Sequence, residues 1–377
     1  MRHYFFTQSH PSERDAILAF QAEVTHPQTS VPVISKWGNL RQKLFGIDPK
    51  ETTFVQRGFR PGNVQAQQQL EHIGYTFLQG YHAALADHKP DTLALRLNTI
   101  EAEWRGFAFE GAAMGLALLD ALTPWQQNRL AKFMAGPGAA HIYMVHVGAG
   151  WILARLPWRR PVYLTQLNCR ANAQSKIQNA KAIDPLLGWL AIDGYGFHEG
   201  YFNWPRSVEQ KTIPKKLSGY ARRVFDQGLG RSLWFVCGAD CSHIPRKIST
   251  FDAKRHADLW SGVGLACAYA GGVDPAAIEA LKSAAGKYQP HLAQGAAFAA
   301  KARQKAGNPT AHTEIACQIL CGMGAGAAAE VTDQALENLP PVSSPQIGLE
   351  GKQEGAEPAY EIWKQRIQSH FSREMKP

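Results

Sequence analysis

Three apolar runs of this chain each carry two glycines in the pattern Gly-x-Gly: Gly148/Gly150, Gly228/Gly230 and Gly262/Gly264. Glycine costs about 1 kcal/mol against alanine inside a helix, so a chain that places such pairs in apolar segments must regain that energy. Close helix packing does so, because a missing Cβ lets backbones approach. A ligand touching bare backbone does so as well. None of the pairs completes a Gly-x-Gly-x-x-Gly fingerprint after a strand, and there is no phosphate-binding Gly-x-x-x-x-Gly-Lys-Ser/Thr loop, so no nucleotide site is read. The expectation is glycines buried in tightly packed helices.

Hydrophobic periodicity agrees. Leu70, Ile73, Phe77 and Tyr81 fall on one helical stripe. Glu110–Leu122 and His141–Leu156 are apolar on nearly every side, and Asp274-Pro275 is a cap followed by proline at the first helical position. The chain therefore reads as mainly α, one large helical domain with Gly-rich packed helices. Residues 1–62 read as an irregular N-terminal arm packing on the body. Residues 63–338 form the helical core, 339–358 a loop and 359–377 a C-terminal helix. Strand candidates are few, Val162–Leu164 among them.

A weak repeat pairs Trp104–Gly115 with Asp193–Phe202 and sets Glu110 against Glu199. Duplication into halves 63–160 and 161–275 would explain it. So would the shared composition of glycine-rich helices.

With 45% hydrophobic and 19% charged residues, the chain can bury a sizeable core. The N-terminus shows neither an apolar signal core nor a small-residue cleavage site, and the apolar run Ala139–Leu156 holds His141, His146 and Arg155. A cytoplasmic protein with reduced thiols and no membrane span is expected. The net charge of +9 concentrates in Arg155–Arg255, with 17 Lys and Arg against 7 Asp and Glu. Such a segment suits an anionic partner, an acidic acyl carrier domain included, or simply a solvated surface. No nucleic-acid motif is present, and none is expected as a partner.

The densest polar constellation is Asp193, Tyr195, His198 and Glu199 within DGYGFHEGYF. These are proton-transfer side chains set among aromatics that lower the local dielectric. Three glycines in ten residues predict a loop or helix break lining a cavity. Glu110 opens an apolar stretch, where a carboxylate caps a helix or faces Glu199 across one cavity as an acid–base pair. Asp226, Gln227 and Arg231 in FDQGLGRSLWF form the candidate binding set, with an Asp226–Arg231 ion pair or an anion site as alternatives. His141 and His146 lie five apart, which disfavours a shared metal. The Cys237/Cys241/His243 and Cys317/Cys321 spacings depart from zinc knuckles, so no metal and no cofactor is expected.

Seven blocks carry a family resemblance: NLRQKLFGIDPKETTFVQRGF (39–59), LEHIGYTFLQGY (70–81), AFEGAAMGLALLD (108–120), YMVHVGAGWILARL (143–156), LLGWLAIDGYGFHEGYF (186–202), FDQGLGRSLWFV (225–236) and RHADLWSGVGLACAYAGG (255–272). In this order they resemble the UnbL-type family of enediyne biosynthesis clusters. The resemblance implies a role in natural-product formation beside an iterative polyketide synthase that makes a polyene, and it implies no reaction or catalytic residue. An enzyme doing acid–base cyclisation or isomerisation on a long apolar intermediate in an internal cavity is the leading expectation. A non-catalytic polyene-binding or carrier-docking protein is the alternative, and a carbocation-type cyclase a lesser one, since the acidic motifs of terpene cyclases are absent. The sequence leaves the oligomeric state open.

Overall fold

The sequence's Gly-x-Gly pairs find a geometric explanation in the computed structural model. It describes residues 35–123, 128–159, 184, 186–215, 217, 219–340 and 357–374. Sixteen α-helices and no strand occur among these residues. The helices that matter most are α3 (Val64–Ala86), α5 (Ala102–Leu122), α7 (Ile142–Arg155), α8 (Trp189–Phe202), α9 (Tyr220–Val236), α11 (Ala253–Ala270) and α13 (Gln289–Ala306). In that order each packs against the next.

At 3.6 residues per turn, residues two apart point about 200° away from each other. A Gly-x-Gly pair in a helix therefore opens two nearly opposite flanks, one for each neighbour. On α7, a Cβ on Gly148 would land on the Glu110 carbonyl of α5, and one on Gly150 would land on the Ala191 carbonyl of α8. On α8, Gly194 meets the Val147 carbonyl behind it and Gly196 the Phe225 carbonyl ahead. Gly228 and Gly230 of α9 meet Asp193 and Leu259, and Gly262 and Gly264 of α11 meet Gln227 and Leu292. Gly80, Gly111 and Gly295 make the same contacts towards the ends of the row. Helix backbones lie where side chains would otherwise keep them apart.

The crossings share one register. The carbonyl that receives the first glycine of the next helix belongs in turn to Phe77, Glu110, Val147, Asp193, Gln227 and Ser261. Moving three residues forward on one helix moves three back on its neighbour, as from Val147 to Gly150 against Gly194 to Ala191, so neighbours run antiparallel. This register equates Glu110 with Asp193, not with Glu199. The packing recurs helix by helix, which accounts for the weak internal similarity at a finer grain than two halves.

The row curls. Phe77 of α3 stacks on Trp151 of α7 at 4.1 Å between ring centroids, past the intervening α5. Arg303 of α13 donates to the Glu103 carbonyl of α5 at 2.6 Å, and Asn308 to that of Ala102 at 2.9 Å. Helix α16 (Ala359–Glu374) lies against α13. Lys364, fully buried, donates to Asp258 at 2.9 Å, and Glu361 takes Arg223 at 2.8 Å.

Several local expectations change. The described part of the arm is not irregular: α1 (Lys36–Phe45), a 3₁₀ turn (Pro49–Thr52) and α2 (Phe54–Arg57) occupy it. Ser35 and Thr53 cap the two α-helices by accepting from Gly38 and Gln56. The arm packs through Tyr81 Oη, which donates to the Phe45 carbonyl at 2.7 Å, and Trp204, which donates to that of Arg57 at 2.8 Å. DGYGFHEGYF is a continuous helix, not a break, because its glycines serve helix crossings. Within the expected continuous core, α14 (Ala311–Cys321) and α15 (Ala325–Gln334) are separated at left-handed Gly322. Val162–Leu164, Cys169 and most of the 339–358 segment lie outside the described residues. Among the described residues no single helix is long and apolar enough to cross a membrane; α14 and α15 reach that length only together, across a 64° bend.

Candidate active site

The curled row encloses a cavity whose free space totals about 630 Å³, its part open to solvent included. Phe77, Phe107, Trp151, Phe197, Tyr201, Phe202 and Phe235 make its wall largely aromatic. The arm adds Ile47, Glu51 and Thr52. Glu51 is turned to Arg57 in an ion pair, which leaves Glu110 and Arg231 as the charged groups of the interior wall.

Glu110 sits in the middle of α5, not at its start, and is 3% exposed; the capping role expected for it does not arise. Trp151 Nε1 donates to its Oε1 at 3.2 Å, and Arg231 Nη2 stands 3.9 Å from the same oxygen. Arg231 is bound more closely to Asp193, in direct ion-pair contact. Its guanidinium also lies 4.9 Å from the centroid of the Phe197 ring. Gln227 donates to Asp193 Oδ2 at 2.9 Å and lies 3.2 Å from Tyr360 Oη. One cation thus serves two carboxylates.

The electrostatic result follows. Burial pushes the Glu110 carboxyl up; Arg231 and the Trp151 N–H pull it down, and Asp193 adds to the rise, leaving it at about 7. A carboxyl poised there is half ionised near neutral pH and can either take or give a proton.

The structure brings Glu110, Asp193, Gln227 and Arg231 together and sets the other candidates apart. At about 100° per residue, Tyr195 and Glu199 stand about 200° and about 240° round α8 from Asp193, and neither lines the cavity. Tyr195 packs on Phe225 at 5.4 Å between centroids, and Glu199 accepts from Asn203 Nδ2 at 3.2 Å. His198 packs edge-on against Trp151 at 5.5 Å, behind the wall. Glu110 and Glu199 do not face each other. Asp226 pairs with Arg255, at 2.6 and 2.9 Å, not with Arg231. The expected Asp226–Arg231 pair fails because adjacent residues Asp226 and Gln227 point to different neighbours of α9. Cys237, Cys241, Cys267, Cys317 and Cys321 are buried free thiols, and no metal-ligand cluster occurs among the described residues.

The sequence matches the family described as protein of unknown function (DUF1702) over residues 36–371. The chain belongs to this family. All the residues named above as lining the cavity fall within the matched span. No curated protein and no solved structure matches the chain.

Among the wall residues that escaped the sequence reading are Trp151 and Tyr269. The signal lay in the helical register. Trp151 follows Val147 by four residues and Tyr269 follows Ser261 by eight, and Val147 and Ser261 are the residues just before each first glycine. Those offsets keep a side chain on the inward face.

Proposed function

We propose that this chain is a cofactor-independent enzyme that isomerises or cyclises a long apolar intermediate, with Glu110 moving the proton. The observation that carries the reading is a carboxyl poised at about 7 on the wall of an aromatic cavity. The substrate context, a polyene of an enediyne biosynthesis cluster, comes from the sequence resemblance. Cofactor independence rests on the lack of a nucleotide motif in the sequence.

A proton shift suits this equipment. On a chain whose double bonds are conjugated with a carbonyl, the Glu110 carboxylate removes a proton from the carbon flanking the conjugated system. The electron pair moves into that system towards the carbonyl oxygen. The acid form then returns the proton at another carbon, so a double bond moves with no net oxidation. Arg231 steadies the ionised carboxylate, and the Trp151 N–H fixes its orientation. In the same proposal, an acidic carrier delivers the chain to the exposed cations Arg206, Lys215, Arg222, Arg246 and Lys254.

The test is Glu110→Gln expressed in place of the wild type within its own gene cluster. The side chain keeps its shape and an acceptor for Trp151 but loses its proton. The expected outcome is a normally folded protein, loss of the pathway product and accumulation of its precursor. A folded, fully active Glu110→Gln protein would sink the catalytic role and favour the binding-protein reading.

A further inference from the structure

A second cavity lies against the first, with about 490 Å³ of free space, its open part included. The two share Arg231, Leu265 and Tyr269 as common wall. The larger reaches Phe202 at the end of α8, while the second begins at Leu190 on the same helix. At about 1.5 Å per residue, the pair extends for about 18 Å along that helix.

The charged groups stand where the two cavities adjoin, joined through Arg231. Glu110 lines the first cavity, Asp193 the second, and Arg231 both. The second cavity is otherwise mainly apolar, with Phe298 and Trp363 in its wall. Lys301 is its other charged group, and its amine is bound to Asp333 at 2.5 Å. Two apolar lobes flanking one acid–base group fit an extended chain better than a compact molecule.

The geometry points to the second cavity as the tail subsite for an elongated apolar chain whose reacting carbons lie within the chain rather than at its end. It assigns the length limit to Ala299 and Ala302. This deepens the acid–base reading of Glu110 and rests on it. The two alanines stand one helical turn apart on α13 and present the smallest side chains of that wall. A larger residue there would fill the lobe, whose lining does not include Glu110.

The experiment is calorimetric binding of octanoic and hexadecanoic acids to the full chain and to Ala302→Trp. The wild type should bind the longer acid at least about tenfold more tightly, since added buried methylenes raise affinity. In Ala302→Trp the preference should shrink to about threefold or less, a small residue of the length effect, with octanoic acid binding unchanged. Ala302→Leu, a milder filling, should reduce the preference in part and serves if the Trp variant does not fold. An undiminished length preference in the folded variants would overturn the tail subsite. It would leave Glu110 untouched, because the Glu110→Gln product test is independent of it. If the wild type binds neither acid, the apolar-substrate reading falls together with the subsite.

Discussion

Two buried ionic clusters among the described residues are built to different balances. Under α16, Asp258 and Glu361 meet Arg223 and Lys364, two anions with two cations. Inside the row, Glu110 and Asp193 share Arg231, with no second cation among the described residues. Burial raises the Asp258 carboxyl, but Lys364 and Arg223 outweigh it and hold the group below the usual range. Asp226, with Arg255 as its ion-pair partner, stays raised to about 6 because burial outruns one guanidinium. Glu110, sharing its cation, rises to about 7. Two cations touch Asp258, one touches Asp226, and Glu110 has only a share of one, and the carboxyl rises in that order as fewer cations reach it. The balanced cluster fastens a helix; the deficient one borders a cavity.

Each cluster can be broken separately. Arg231→Met removes the only cation among the described residues that pairs with Asp193 and Glu110, and breaking a buried pair in this way should cost about 3–5 kcal/mol; denaturant unfolding measures it. Lys364→Met should cost less, about 2–3 kcal/mol, because Asp258 keeps Arg223 at 3.0 Å. It should also leave pathway product intact in whatever fraction remains folded. The pH dependence gives a third contrast. Glu110 has a raised folded pKa, so its contribution is fully present below its unfolded value and is lost as pH rises through about 7. Between about pH 4.5 and 7 the wild type should therefore lose about 2–3 kcal/mol that Glu110→Gln does not lose, since one pKa unit is worth about 1.4 kcal/mol. Asp258 acts in the opposite sense: its contribution is present above its unfolded value and lost on acidification below it. The smallest effect belongs to Glu199→Gln. That side chain lines neither cavity and accepts from Asn203, so less than about 1 kcal/mol and no loss of product is expected. Product loss in a folded Glu199→Gln protein would move the chemistry to the other side of α8.

Much of the fold could be read from residues, and the site only in part. The stripe through Leu70, Ile73, Phe77 and Tyr81 and the Asp274-Pro275 start reflect short-range rules of spacing and capping, and helices stand at both places. The Gly-x-Gly pairs gave close packing, and their glycines are buried in the row. What they could not give alone was which backbone each glycine meets. That depends on the order of helices round the row, set by contacts far apart in the chain. For the same reason DGYGFHEGYF looked like one site. Proximity in sequence grouped Asp193 with Glu199, while helical rotation sends Asp193 to Arg231 and the wall of the second cavity and leaves Glu199 outside both cavities. Glu110 and Arg231 were named, yet their meeting depends on the row curling until α5 and α9 face each other.

The most direct test of a cation-deficient cluster holding an acid at neutral pH is the titration of Glu110 itself. Infrared difference spectra of the wild type against Glu110→Gln isolate its carboxyl band across pH 4 to 9. A protonated C=O band should persist well above the ordinary carboxyl range and disappear around pH 7. A band already gone by about pH 5, the range of an ordinary glutamate, would contradict it, for Glu110 would then be a fixed anion of a structural ion cluster.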